Sequence, residues 1–309
     1  IRLAKREDMP KSKIWLIRAA AFLLAIVLGG LVFFIAGTNP ITAYGAILSS
    51  SLGKASGVKQ VVKIAVPLLG TALALAPCFA MRFWNIGGEG QITMGAVAAS
   101  FFALNYAGSI PSPLLLLLMG IFSILFGAAW AAIPASFKAR WGTNETLFTL
   151  MMNYIAIGIV GWLQGGPWEG KPGSQIIPMF DQAAVLPKVF GVHCGWIIVL
   201  LLTAGMYIYM NYTKQGYEIA VLGESENTAR YAGMNVAKVT IRTACLSGGI
   251  CGLIGFMVCS GTNMTLYADV AGGVGFTAIV VAWLAQFNPF AMIAISLLLA
   301  VLEKGASGL

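Results

Sequence analysis

The sequence predicts an all-α, polytopic membrane protein, internally duplicated and built with broken helices. Three observations carry the prediction. Of the 309 residues, 59% are hydrophobic and only 10% charged, against about 25% charged in a soluble domain. The charge-free stretches, among them Ala19–Gly53, Ile92–Phe137 and Val270–Leu302, are long enough for one span of about 20 residues or for two, and no period-2 alternation points to a barrel. Two glycine-rich breaks, around Asn85–Gln91 and Gly272–Thr277, interrupt the apolar field, one in each half, as in a duplicated transporter fold with a central site. The whole of 1–309 reads as one transmembrane domain.

Six of the nineteen basic residues (Arg2, Lys5, Arg6, Lys11, Lys13 and Arg18) precede the first apolar run. By the positive-inside rule this makes 1–13 a cytoplasmic N-terminal segment. It also accounts for much of the net charge of +8 without a nucleic-acid partner. The first span, about Ile14 to Ala36, is an anchor rather than a cleaved signal. It ends at Gly37-Thr38-Asn39-Pro40, and a loop of small and polar residues is expected next. Val61–Met81 crosses back, kinked at Pro67 and Pro77.

Phe83-Trp84-Asn85-Ile86-Gly87-Gly88-Glu89-Gly90-Gln91 follows. Glu89 is the only acidic residue between Asp8 and Glu145, and an unpaired charge at bilayer depth costs a few kcal/mol or more. Asn85 and Gln91 add donors and acceptors, and the glycines permit backbone that a helix refuses. Such a break lines a cavity or is buried in protein; one competing reading is a Gly-rich turn between two spans with Glu89 in headgroup water, and another is a Glu89 that pairs with Arg82 or caps the next helix and shapes the fold alone. Ile92–Tyr106 holds only fifteen residues, which at 1.5 Å each fall short of the roughly 30 Å hydrocarbon core. That deficit favours a motif inside the membrane profile.

Pro113–Ala135 returns, and Lys138 and Arg140 mark a cytoplasmic loop. Asn144 can cap a helix opened by Glu145. Glu145, Thr149 and Asn153 recur at i, i+4 and i+8 and form one polar stripe, facing either a cavity or another helix. Residues 164–194 form a long loop with four prolines and nearly balanced charge, read as extracytoplasmic. Trp196–Tyr212 crosses inward. Residues 213–240 are the most polar cytoplasmic segment, and Ser225–Met234 reads as a short helix capped by Ser225 and stopped at Gly233. Two turns are not stable alone in water, so this helix must lie against something. Ala244–Ser260 is glycine-rich, suited to close packing, and Ala278–Gln286 and Phe290–Leu302 are short apolar runs. Eight or nine crossings result.

The five cysteines have no metal spacing and read as core, the sole histidine, His193, as interfacial packing. No nucleophile elbow or phosphate loop occurs. No catalytic residue, metal ligand or cofactor is assigned to this chain, and without an ion relay or nucleotide loop its energy must come from another chain.

At these residues a resemblance enters. Asn85–Gln91 resembles the NIG-x-EGQ motif of permeases in bacterial ABC-type nucleoside importers, within the branched-chain amino acid and ribose permease group. Asn144-Glu145 with Thr149–Tyr154 is similar to their NE…TLMxNY stretch. Gly223–Gly233 is similar to their cytoplasmic G-x-N-x-x-A-x-x-x-G helix, Leu246–Gly255 to the following SGxxxGLxG span, and Gly275-Phe276-Thr277 to their GFxxI break. The matches run in order from about residue 60 to the end. Trp84 departs from the small or aliphatic residue expected there, and Thr277 from the usual acidic or amide residue. The family's final span is missing, so the sequence is expected to be part of a longer chain of about ten spans.

The resemblance implies a multi-pass permease of the bacterial cytoplasmic membrane, its N-terminus cytoplasmic. Its expected partners are a second related permease, a cytoplasmic ATPase holding ATP and Mg, a lipid-anchored extracytoplasmic binding protein, membrane lipid and a nucleoside substrate. Phe83, Trp84, Asn85, Glu89, Gln91, Asn153, Phe276 and Thr277 are expected to line the substrate path. Glu226, Asn227, Thr228, Arg230, Tyr231 and Met234 are expected to couple to the ATPase. The alternatives are a sugar or branched-chain amino acid permease of the same group, then a secondary transporter or channel, and last a membrane scaffold.

Overall fold

A computed structural model describes residues 11–308 and is 76% helical, so the all-α expectation holds. Much of the basic N-terminal segment lies outside the described residues. The described residues divide into two compact units: 11–58 with 301–308, and 59–300.

In the first unit, α1 (Lys11–Ile35) and α2 (Pro40–Leu52) meet at a 109° bend. The loop expected after Pro40 is therefore a helix. Asn39 caps it, accepting from the Ile41 N–H at 3.0 Å, and Pro40 pre-sets the first turn. Tyr44 ties the bend by donating to the Ile26 carbonyl at 2.7 Å. Leu23, Leu24, Val27 and Leu31 of α1 are exposed, as suits a lipid-facing surface.

The second unit holds most of α3 (Ala55–Ala80), then α4 (Gly88–Tyr106), α5 (Ser112–Trp141) and α6 (Glu145–Gln164). A long connection carries the short hairpin of β1 (Lys188–Val189) and β2 (Val192–His193). Then come α7 (Gly195–Tyr212), α8 (Lys214–Glu224), α9 (Glu226–Tyr231), α10 (Val236–Val258), α11 (Val274–Leu284) and α12 (Pro289–Ala306), whose last turns belong to the first unit. Helix α3 starts six residues before the expected span, and α10 eight before, because amphipathic turns precede their apolar runs.

Helices α4, α5 and α10 form the centre. A Cβ on Gly252 would strike the Ser123 carbonyl and the Gly127 backbone, and one on Gly95 the backbone of Gly252, so only glycine lets these helices approach so closely. Ser123 donates to the Gly95 carbonyl at 2.8 Å, a buried helix-to-helix bond. Leu68, Leu73, Leu75, Ile92, Leu115, Met119 and Ile254 fill the core around it. Cys78, Cys251 and Cys259 are buried free thiols.

Six helices among the described residues are long and apolar enough to cross a membrane, or seven counting the bent α1–α2 pair. That is fewer than the eight or nine crossings read from the sequence. Helix α4 has comparable length, but its first turn is polar; α11 has only eleven residues.

Candidate functional site: two helix breaks joined at Glu89

The two breaks meet. Helix α4 begins at Gly88 and α11 at Val274, and the Glu89 carboxylate closes the gap between them. One oxygen accepts from the Gly273 N–H at 2.7 Å and the other from the Gly275 N–H at 2.7 Å. The acid sits in the first turn of its own helix while capping another, so two positive helix ends share one negative charge. A Cβ on Gly275 would run into the Glu89 backbone nitrogen and carboxylate; this glycine is required by close approach. Glu89 is only 5% exposed and makes no ion pair with Arg82 among the described residues.

The motif's glycines thus act differently from the sequence reading. Gly88 and Gly90 are helical, packed on Gly275 and on Asn153. The left-handed residue stands just before the stretch, Arg82 at φ 61°. From Gly275 to Trp283 is eight residues, about 12 Å of helix. The strand of chain from Trp84, stacked on Trp283, to Glu89, bound at Gly275, runs beside α11 over that distance.

Around this clamp the polar side chains satisfy one another. Asn85 and Gln91 exchange amide hydrogen bonds at 3.3 and 3.0 Å, Asn85 also donates to the Ser247 hydroxyl at 3.2 Å and accepts from the Gly87 N–H at 3.0 Å. From α6, Asn153 accepts from the Gly90 N–H at 2.8 Å and donates to the Ile86 carbonyl at 3.0 Å. Thr149 accepts from the Ile86 N–H at 3.1 Å. The predicted stripe therefore reads out the motif's backbone. Its first member, Glu145, pairs instead with Lys138 at 2.9 Å, and Asn144 caps α6 through the Leu147 N–H. Asn85, Gln91 and Asn153 are all buried.

The aromatic members separate by exposure. Phe83 is buried with Met81, Ala135, Leu222 and Ala229. Trp84 is 45% exposed and Phe276 43%, and Thr277 is exposed one residue on. Trp84 stacks on Trp283, ring centroids 5.5 Å apart and planes at 17°, with Phe79 at its edge. Trp283 was missed in the sequence. Its spacing of i+7 from Phe276, through Val280, marks one face of α11, and all three are exposed.

At the end of the bundle that carries α8, helix α9 is as short as expected. Ser225 caps it through the Thr228 N–H at 3.3 Å. Ala229 is buried, Met234 half-buried, and Glu226, Asn227, Thr228, Arg230 and Tyr231 are exposed, Tyr231 at 93%. Arg230 reaches Glu226 at 2.6 Å, an exposed pair worth little to stability. His193 is elsewhere, 2% exposed, against Gly195 and Gly261, and neither ring nitrogen meets a partner among the described residues. Burial first, and Lys63 second, hold its pKa down at about 4. Among the described residues no cluster of metal-ligating side chains occurs.

A helical bundle broken twice at one buried carboxylate, with a short polar helix presented at one end, has the form of a membrane permease. The chain belongs to the branched-chain amino acid transport system / permease component family, whose profile matches residues 57–309. It is 32% identical to the glucose ABC transporter permease protein TsgB13 of Haloferax volcanii, over 92% of this chain and 78% of that one. It is 30% identical to the guanosine ABC transporter permease protein NupP of Bacillus subtilis, over 94% and 85%. It is 26% identical to the nucleoside ABC transporter permease protein NupB of Lactococcus lactis, over 97% and 85%. No solved structure matches the chain. The resemblance read from the motifs is borne out, and the protein is a multi-pass membrane permease component.

Proposed function

We propose that this chain is the permease subunit of an ATP-driven importer that carries nucleosides inward across the cytoplasmic membrane. ATP and Mg belong to a separate cytoplasmic ATPase, delivery to a lipid-anchored binding protein outside, and the rest of the path to a second related permease. The N-terminus, Lys138 and Arg140, and residues 213–240 face the cytoplasm, and 164–194 face outward. Relatives named for guanosine and nucleosides, matched over most of their length, support the substrate class.

The observation that carries the reading is the exposed aromatic face beside the break. Phe276 beside the clamp, and Trp84 on Trp283 about 12 Å further along α11, offer flat surfaces, and stacking on a base is worth about 1–3 kcal/mol. Asn85, Glu89, Gln91 and Asn153 act by fixing the backbone that holds this face, while Thr277 offers a hydroxyl on it. The contacts are few, as a path that must release its cargo requires; selectivity at high affinity is left to the delivering protein. Exposed residues of α9 receive the push of the ATPase.

A sugar reading is favoured by one observation, the 32% identity to a glucose permease. The assembled importer in proteoliposomes separates the two. Uptake of a labelled nucleoside should be suppressed by excess unlabelled nucleosides and not by hexoses. Suppression by a hexose alone, or hexose uptake in place of nucleoside uptake, transfers the assignment to sugars.

A further inference from the structure

A cavity of about 770 Å³ opens beneath the first break, between the end of α3, the α5–α6 turn and α9. Three cations line it, Arg82, Lys138 and Arg230, against two carboxylates, Glu145 and Glu226. Lys138 is paired with Glu145 at 2.9 Å and Arg230 with Glu226 at 2.6 Å. Arg82 has no ion pair among the described residues. It is exposed, and its backbone is held left-handed at φ 61°, a conformation uncommon for a side chain of this size and concentrated at functional positions.

Its neighbours connect it in both directions. Phe83, the next residue, is buried in one hydrophobic cluster with Ala229 of α9, and Asn85 of the polar break follows two residues later. At the end of α3, Gly223 of α8 lies so close to the Ala80 carbonyl that a Cβ would strike it. The segment carrying Arg82 is therefore packed against α8 and α9 on one side and continuous with the break on the other.

We propose that this cavity receives an acidic side chain of the partner ATPase on the Arg82 guanidinium, giving that partner a direct hold on the first break besides its contact with α9. The inference rests on the ATPase reading above. Charge complementarity supplies the class of occupant: the cavity has one cation more than its own carboxylates neutralise, and a guanidinium binds a carboxylate through two parallel N–H donors. Connecting segments and polar helix ends form the walls, including residues 138–145 and 222–240, which favours a protein loop over a lipid headgroup.

The test uses the complete importer with a photo-cross-linking amino acid at Ala139, which lines the cavity, or at Tyr231 on α9. Both probes should yield adducts with the ATPase chain. Arg82→Glu should remove the Ala139 adduct, retain the Tyr231 adduct and lower substrate-stimulated ATP hydrolysis about tenfold, the scale for a broken interfacial charge pair. Arg82→Asn keeps a residue tolerant of positive φ and should show the same direction with wild-type thermal stability, which separates lost contact from misfolding. A Tyr231 adduct without an Ala139 adduct, an Ala139 adduct with lipid alone, or unchanged hydrolysis in both Arg82 variants overturns the proposal. If neither position reaches the ATPase, the ATPase reading itself falls.

Discussion

Replacing Glu89 by glutamine keeps the shape of the side chain and removes one acceptor and the charge. The carboxylate makes two hydrogen bonds, to the Gly273 and Gly275 N–H groups, each 2.7 Å long. Charge-assisted bonds of this kind contribute about 1.5–3 kcal/mol each. The amide keeps one and turns an NH₂ toward the other N–H, leaving buried donors face to face at about 1–3 kcal/mol. Loss of charge beside two helix N-termini adds about 0.3–1 kcal/mol for each. The expected destabilisation is about 4 kcal/mol, large against the 5–15 kcal/mol that holds a typical domain. Reversible denaturant unfolding of the purified permease in bicelles measures it, and the yield of assembled importer should fall in parallel. Stability within about 1 kcal/mol of wild type, together with lost uptake, would refute the clamp and leave the carboxylate a role in transport alone.

Gly275→Ala should destabilise the fold by about 1–3 kcal/mol, the scale of overpacking, because the new Cβ meets Glu89; the same unfolding assay reads it, and a neutral result would mean that the breaks do not meet so closely. In a cysteine-free background, an impermeant reagent added outside should label a cysteine at position 181 and not one at 230; the reverse pattern inverts the topology. His193 has a folded-state pKa of about 4 against an ordinary 6.5, so its neutral form is preferred on folding. Its contribution is intact above pH 6.5 and is lost as pH falls toward 4, by at most about 3 kcal/mol. Thermal melting from pH 7.5 to 4.5 should drop more in wild type than in His193→Phe, and parallel curves would contradict the assignment.

Local chemistry made much of this legible in the sequence. Asn144 and Ser225 were recognisable as caps because side-chain acceptors before a helix have few other uses, and Glu89 stood out because a carboxylate in apolar surroundings needs partners. What it needs was not legible: Gly273 lies 184 residues away, and one sequence carries no record of that pairing. The glycines misled for a related reason. Gly88 and Gly90 suggested irregular backbone, yet they are helical and serve contacts with Gly275 and Asn153. Helix α2 was hidden by its small and polar composition, with Asn39-Pro40 its one overlooked start signal. Trp283 looked like ordinary span, since a single aromatic in an apolar run has no periodic context until the helix boundaries are known.

In the proposed function the aromatic face of α11 and Trp84 handles the base of a nucleoside. Trp84→Ala in the assembled importer is the direct test, because the Trp84 ring is exposed and packs on Trp283 and Phe79 rather than on the buried polar side chains. Nucleoside uptake should fall about 5- to 150-fold, the equivalent of 1–3 kcal/mol of stacking, with assembly and basal ATP hydrolysis unchanged. Undiminished nucleoside uptake by a fully assembled Trp84→Ala importer would contradict this role.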